Sequence, residues 1–150
     1  MDYSAKQYAS YVWFIRNVMG IDTIVLPDDS PIIAYTLEIA VTTVNQVLAC
    51  VVPPLYEQAL NNLAGDFLIN WAQDQTGQTF FADLRKAYSI NNFAAGVVQS
   101  TSDEGTSVGL LVPEWAKNLT IANLGNLKTP FGRTYLGIAQ AYGSTIWGLT

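Results

Sequence analysis

The sequence predicts a mainly α-helical fold: a small helical bundle with an extended loop or β-hairpin excursion and an extended C-terminal tail. Three observations predict it. Apolar residues recur at helical spacing in several segments bounded by Ser, Pro and Gly; that period disappears over about residues 94–112; and the final stretch stays apolar and glycine-punctuated. The 150 residues fit one domain, able to bury roughly two thirds of its unfolded surface. We place the helical domain at 1–143, with its extended arm near 94–112, and the tail at 144–150.

Ser4 with Gln7 has the form of a capping box, and Tyr8, Tyr11, Val12, Ile15, Val18 and Met19 follow at helical spacing as far as Gly20. Ile21 to Ser30, with its aspartates and Pro27, reads as a loop whose Ile24, Val25 and Leu26 pack back on the core. Asp28-Asp29 fits turn chemistry and a favourable charge near the next helix start. Ser30-Pro31 supplies an N-cap and N1 proline for a second helix to about Val52, with Ile33, Leu37, Ala40, Val44, Val47, Leu48 and Val51 on one side.

Pro53-Pro54 breaks that helix and starts the next. There Tyr56, Ala59, Leu60, Leu63, Phe67, Leu68 and Trp71 form a stripe that ends before Thr76-Gly77. Phe80 to Ser89 is a shorter helix with Asp83 early and Arg85-Lys86 late, matching the macrodipole. Beyond Asn91-Asn92, Val97 to Ser100 and Thr106 to Val112 flank Asp103-Glu104-Gly105 as a hairpin or extended arm. A ribbon this polar needs a surface to lie on. Pro113 opens a short helical turn carrying Trp115, and Thr120 caps another ending near Lys128. Thr129-Pro130 starts the last helix, where Phe131, Tyr135, Ile138, Ala139 and Tyr142 share a face before Gly143 stops it.

Composition removes several chemistries. Without histidine the chain cannot build a Ser-His-Asp triad, a Cys-His pair or the usual zinc sites. The single cysteine, Cys50, lies among valines, leucine and alanine and reads as a small buried hydrophobe; no intrachain disulfide is possible, and a reducing compartment fits best. Net charge is −5 with scattered basic residues, so no cationic patch grips phosphates, although an acidic surface suits a path along which nucleic acid slides. The amino terminus lacks the pattern of a secretory signal, and Glu38, Asn45 and Gln46 interrupt the one segment of membrane-spanning length, Pro31 to Val52. Only 13% of residues are charged, against roughly 25% in an ordinary soluble domain. Partners then cover apolar surface, or Asn, Gln, Ser and Thr make up the polar exterior.

Candidate sites are few. Asp103-Glu104 reads as a solvated turn without the ligand ladder of a calcium loop. Glu57 and Asp66, nine residues apart and roughly 13 Å along a helix, read as surface charges rather than a glycosidase pair. Gly125 with Lys128 and Thr129 lacks the spacing of a phosphate loop. We therefore expect no enzymatic activity and assign no catalytic, cofactor or metal residue. Trp13 and Trp71 belong to helical stripes and are expected in the core, whereas Trp115, Trp147 and Arg133 are candidates for an interface, where aromatic and arginine anchors dominate. Ile146, Trp147 and Leu149 in the tail need a docking surface, in this protein's core or on a partner.

A helix reading Leu55-Tyr-Glu-Gln-Ala-Leu-Asn-Asn-Leu-Ala-Gly-Asp-Phe-Leu-Ile-Asn-Trp71, a polar excursion from Gln99 to Gly109 and an apolar C-terminal extension together give an order of parts that resembles the head-to-tail connector, or adaptor, proteins of tailed bacteriophages. The likeness spans most of the chain and is one of layout, without a signature motif. It implies a structural virion protein in the neck between head and tail, assembled in the host cytoplasm. Such proteins form a ring of about twelve copies beneath the portal, extending the DNA channel and offering the tail an attachment surface. The resemblance makes Ser144 to Thr150 a docking arm and Gln99 to Gly109 a loop reaching a neighbour. The implied interface comprises Ile146, Trp147, Leu149, Arg133, Trp115, Asp103 and Glu104. Implied partners are further copies of the chain, the portal protein and tail or neck proteins, with DNA passing through without specific binding and no membrane. Family adaptors are often more highly charged, and a tail-completion or other minor virion protein fits the same layout. A small helical enzyme and a monomeric ligand-binding domain are the readings from other classes.

Overall fold

The computed structural model describes residues 3–90, 97–100, 109–111 and 125–147, with side chains at 3–90 and 125–142. Among the described residues it is a helical bundle: α1 (Ala5–Asn17), α2 (Pro31–Thr43), α3 (Val47–Val51), α4 (Pro53–Trp71), α5 (Phe80–Ala87) and α6 (Pro130–Trp147), with strands β1 (Val97–Ser100) and β2 (Gly109–Leu111) between α5 and α6.

Helix α4 is the axis of the bundle. Every residue from Ala59 to Asp66 is buried, so this helix has no free polar face through its middle turns. Helices α1, α2, α3, α5 and α6 all pack on it, and its pairing with α6 is the most extensive in the structure. The predicted stripe is there, and Tyr56, Ala59, Leu60, Leu63 and Leu68 join Tyr11, Ile15, Ile33, Leu37 and Phe81 in one core.

At the amino end the capping box forms as expected: Ser4 N donates to Gln7 Oε1 at 2.7 Å and Gln7 N to Ser4 Oγ at 3.2 Å. Gly20 takes φ +69°, as a helix-terminating glycine should. Phe14, outside the predicted stripe, is buried, and Val18, inside it, is half exposed. Arg16 fastens the following loop by donating to Ile21 O at 2.6 Å and Leu26 O at 2.5 Å, with Nε 3.0 Å from Asp28 Oδ1. Leu26 is buried and Val25 packs on the core, but Ile24 points outward.

The second helix departs from expectation. It stops at Thr43, and Val44 is extended at ψ 135°, so the segment to Val52 is two helices. The run Val41-Thr42-Thr43-Val44 is β-branched, both threonine hydroxyls donate back to Ile39 O, and Asn45 Oδ1 accepts from Val47 N at 3.0 Å. Gln46 Nε2 also donates to Val41 O at 2.6 Å. These side chains offer the backbone an alternative to the helical ladder. Val44 and Leu48 remain buried, while Val47 and Val51 turn outward and Cys50 is exposed, which corrects its reading as a buried hydrophobe. Ser30 occupies the N-cap of α2 without a side-chain capping bond.

The end of α4 and the start of α5 are secured by side chains of α5 and of the loop between them. Arg85 Nη1 donates to Ile69 O at 3.0 Å and Ala72 O at 2.8 Å, covering the last carbonyls of α4. Asp74 accepts from Phe81 N at 2.7 Å and Ala82 N at 2.9 Å at the start of α5. The chain leaves α5 at Ala87, and Ser89 has φ 52°. Strands β1 and β2 pair antiparallel, Val97 opposite Leu111 and Val98 opposite Leu110, as a hairpin reading requires. The turns assigned to Pro113 and Thr120 lie outside the described residues.

Helix α6 begins at Pro130 as predicted, and Phe131, Tyr135 and Ile138 pack on the core beside the more deeply buried Leu136. It does not stop at Gly143 but runs to Trp147, so the part of the tail that is described is helical rather than extended. A helical glycine costs only about 1 kcal/mol relative to alanine, and no proline follows to enforce a stop. Both tryptophans expected in the core are also displaced: Trp13 is 61% exposed and Trp71 39%.

Candidate functional site

The buried run of α4 includes one ionisable side chain, Asp66, only 1% exposed. It faces the first turn of α6. The buried Thr129 hydroxyl donates to Asp66 Oδ1 and accepts from Gly132 N at 3.0 Å, so one side chain both caps α6 and ties it to α4. Asn70 Nδ2 donates to Asp66 O at 2.8 Å. Gly132 is hemmed in on two sides: a Cβ there would lie 2.0 Å from Asn126 O, in the segment leading into α6, and 2.8 Å from Asp66 Oδ1 on α4. Burial pushes the Asp66 carboxyl up to about 6, against the opposing pull of the Thr129 and Asn70 hydrogen bonds and the Lys128 charge.

Beside this junction lies a cleft of about 440 Å³, with Asp66 and Asn70 on one side and Asn126 and Lys128 on the other. Its aromatic wall is Trp71 stacked on Phe67, ring centroids 4.6 Å apart and nearly parallel at 3°, with Tyr35 tilted against Trp71 at 6.0 Å. Trp71 is therefore a wall residue of this cleft. Thr43, Gly125 and Tyr135 complete the lining, the Tyr135 phenol raised by burial. A smaller space of about 110 Å³ separates Leu48 and Ala59 from Ile138 and Tyr142.

Asp66 corrects the reading of a surface charge; Glu57 fits it, pairing on the surface with Lys6 at 3.4 Å. The signal that would have found Asp66 is the absence of a charged face on α4: between Glu57 and Trp71 its polar residues are amides, apart from this one carboxylate. The residues assigned to an interface are not brought together. Arg133 Nη1 donates to Leu127 O at 3.1 Å, and Ile146 and Trp147 lie in the last turn of α6. Asp103, Glu104, Trp115 and Leu149 lie outside the described residues. Among the described residues, no three His, Cys, Asp or Glu side chains converge as for a metal, and no helix is long and apolar enough to cross a membrane. Comparison with family models, curated proteins and solved structures yields no match for this chain.

Proposed function

We propose that this chain is a structural, non-enzymatic virion protein of the head-to-tail connector type, forming a ring beneath a portal in the phage neck. The observation that carries the reading is the order of parts: a helical bundle with an antiparallel ribbon, β1–β2, inserted before its last helix. A two-stranded ribbon is marginal by itself and gains stability by lying against a neighbour, as a ring of identical subunits supplies. The net charge of −5 suits a channel that DNA traverses without sticking. The partners on this reading are further copies, the portal, and tail or neck proteins.

Electron microscopy of the full chain mixed with the portal ring encoded by the same genome tests it. A collar of about twelve copies on the portal is the expected result. A chain that stays monomeric beside an undecorated portal refutes it.

A further inference from the structure

Asp66 is a buried carboxylate whose hydrogen-bond partner at Oδ1 is a neutral hydroxyl. Among the described residues, no ion pair within 4.0 Å involves it. A buried carboxylate is held best by a cation that also brings directed donors. The cleft presents the complement of such a group. Asn70 uses its amide nitrogen on Asp66 O, which leaves its amide oxygen to accept, and the Phe67–Trp71 stack, whose inner faces cover each other, has an outer ring face to offer a flat cation. A guanidinium fits this combination better than an ammonium, because it stacks on rings while its fork of donors engages oxygens at the edge. The protein's net charge of −5 favours a basic partner as well. Lys128 lines the opposite side and competes with any incoming cation.

We propose that the cleft between α4 and the start of α6 is a recognition site for an arginine side chain of a basic partner segment, the guanidinium stacked on the outer face of the Phe67–Trp71 pair and directed at Asp66. The site does not depend on the connector reading and stands if that reading fails.

The test is a titration of the full chain with N-acetyl-arginine methylamide and with its neutral isostere, N-acetyl-citrulline methylamide, followed through the Trp71 indole resonance. The arginine probe is expected to bind at least about tenfold more tightly, a preference of the size that a charge-assisted hydrogen bond with cation–π contact gives. Asp66→Asn, nearly isosteric and still able to accept from Thr129, is expected to erase the preference, and Lys128→Ala to strengthen arginine binding. Should Asp66→Asn fail to fold, Lys128→Ala alone carries the comparison. Equal binding of the two probes, or no binding of either, overturns the proposal. Arginine binding seen only in Lys128→Ala overturns it too, since Lys128 is then the cleft's own cation.

Discussion

Replacing Gly132 with alanine tests how tightly the first turn of α6 is packed between Asn126 and Asp66. The added Cβ would sit 2.0 Å from Asn126 O and 2.8 Å from Asp66 Oδ1, so the Asn126 carbonyl must withdraw by at least about 1 Å, and the Asp66 carboxyl by less, before both contacts are tolerable. That movement strains the Thr129 bridge, because Gly132 N and Asp66 Oδ1 are its two partners. Overpacking costs about 1–3 kcal/mol and loss of a hydrogen bond to a charged group about 1.5–3, so a net destabilisation of about 3 kcal/mol is expected. With a urea m-value of about 2 kcal/mol/M, the unfolding midpoint falls by about 1.5 M. Gly137→Ala is the control. It lies on the exposed side of the same helix with nothing within 4 Å of its would-be Cβ, and it should stabilise by about 0.5–1 kcal/mol. A Gly132→Ala midpoint within error of the parent would refute the argument, and equal effects of the two substitutions would reduce it to helix propensity.

Further outcomes follow from other contacts. Asp66 is raised from 3.8 to about 6, so the folded state holds its proton more tightly than the unfolded chain; this contribution, on the order of 3 kcal/mol, is present below about pH 4 and is lost as pH rises through 6. Urea midpoints measured across that range should fall with pH in the parent and lose this component in Asp66→Asn; parallel curves would show that Asp66 does not titrate there. Arg85→Ala uncovers Ile69 O and Ala72 O and should cost about 1–2 kcal/mol, with faster amide exchange at the end of α4 and through α5 than in α1. Uniform protection would count against a local clamp. Cys50 should react with a thiol reagent in the folded protein without denaturant, and protection until global unfolding would contradict its exposure.

Elements with explicit punctuation were legible in the sequence. Ser4 with Gln7, Pro53-Pro54 and Thr129-Pro130 each set a helix start where backbone chemistry demands one, and the structure places helices there. Errors arose where weaker signals compete. Gly143 signals a stop, although a lone glycine only taxes a helix. Helical period runs straight through Thr43 to Gln46, although side-chain hydrogen bonds to the backbone win locally over it. The candidate cleft was illegible for a different reason. Periodicity assigns a residue to a face of its own helix, but whether that face meets water or another helix depends on a segment more than 60 positions away, as with Asp66 and Thr129. Trp71 follows the same logic, since Leu68, Ile69 and Ala72 around it are buried while its own side of α4 borders the cleft.

The insertion of the ribbon between α5 and α6 has an evolutionary consequence. Residues 91–124 lie between two helices that both dock on α4, and α6 is held there by its own buried cap. Loop-closure entropy varies only logarithmically with length, so halving or doubling that stretch changes the cost of bringing α6 home by about 0.6 kcal/mol. The bundle can thus keep its core while the inserted segment lengthens, shortens or changes sequence almost without thermodynamic penalty. Diversification among descendants of this chain should therefore concentrate between α5 and α6, with the Asp66–Thr129–Gly132 junction as the fixed point around which it occurs.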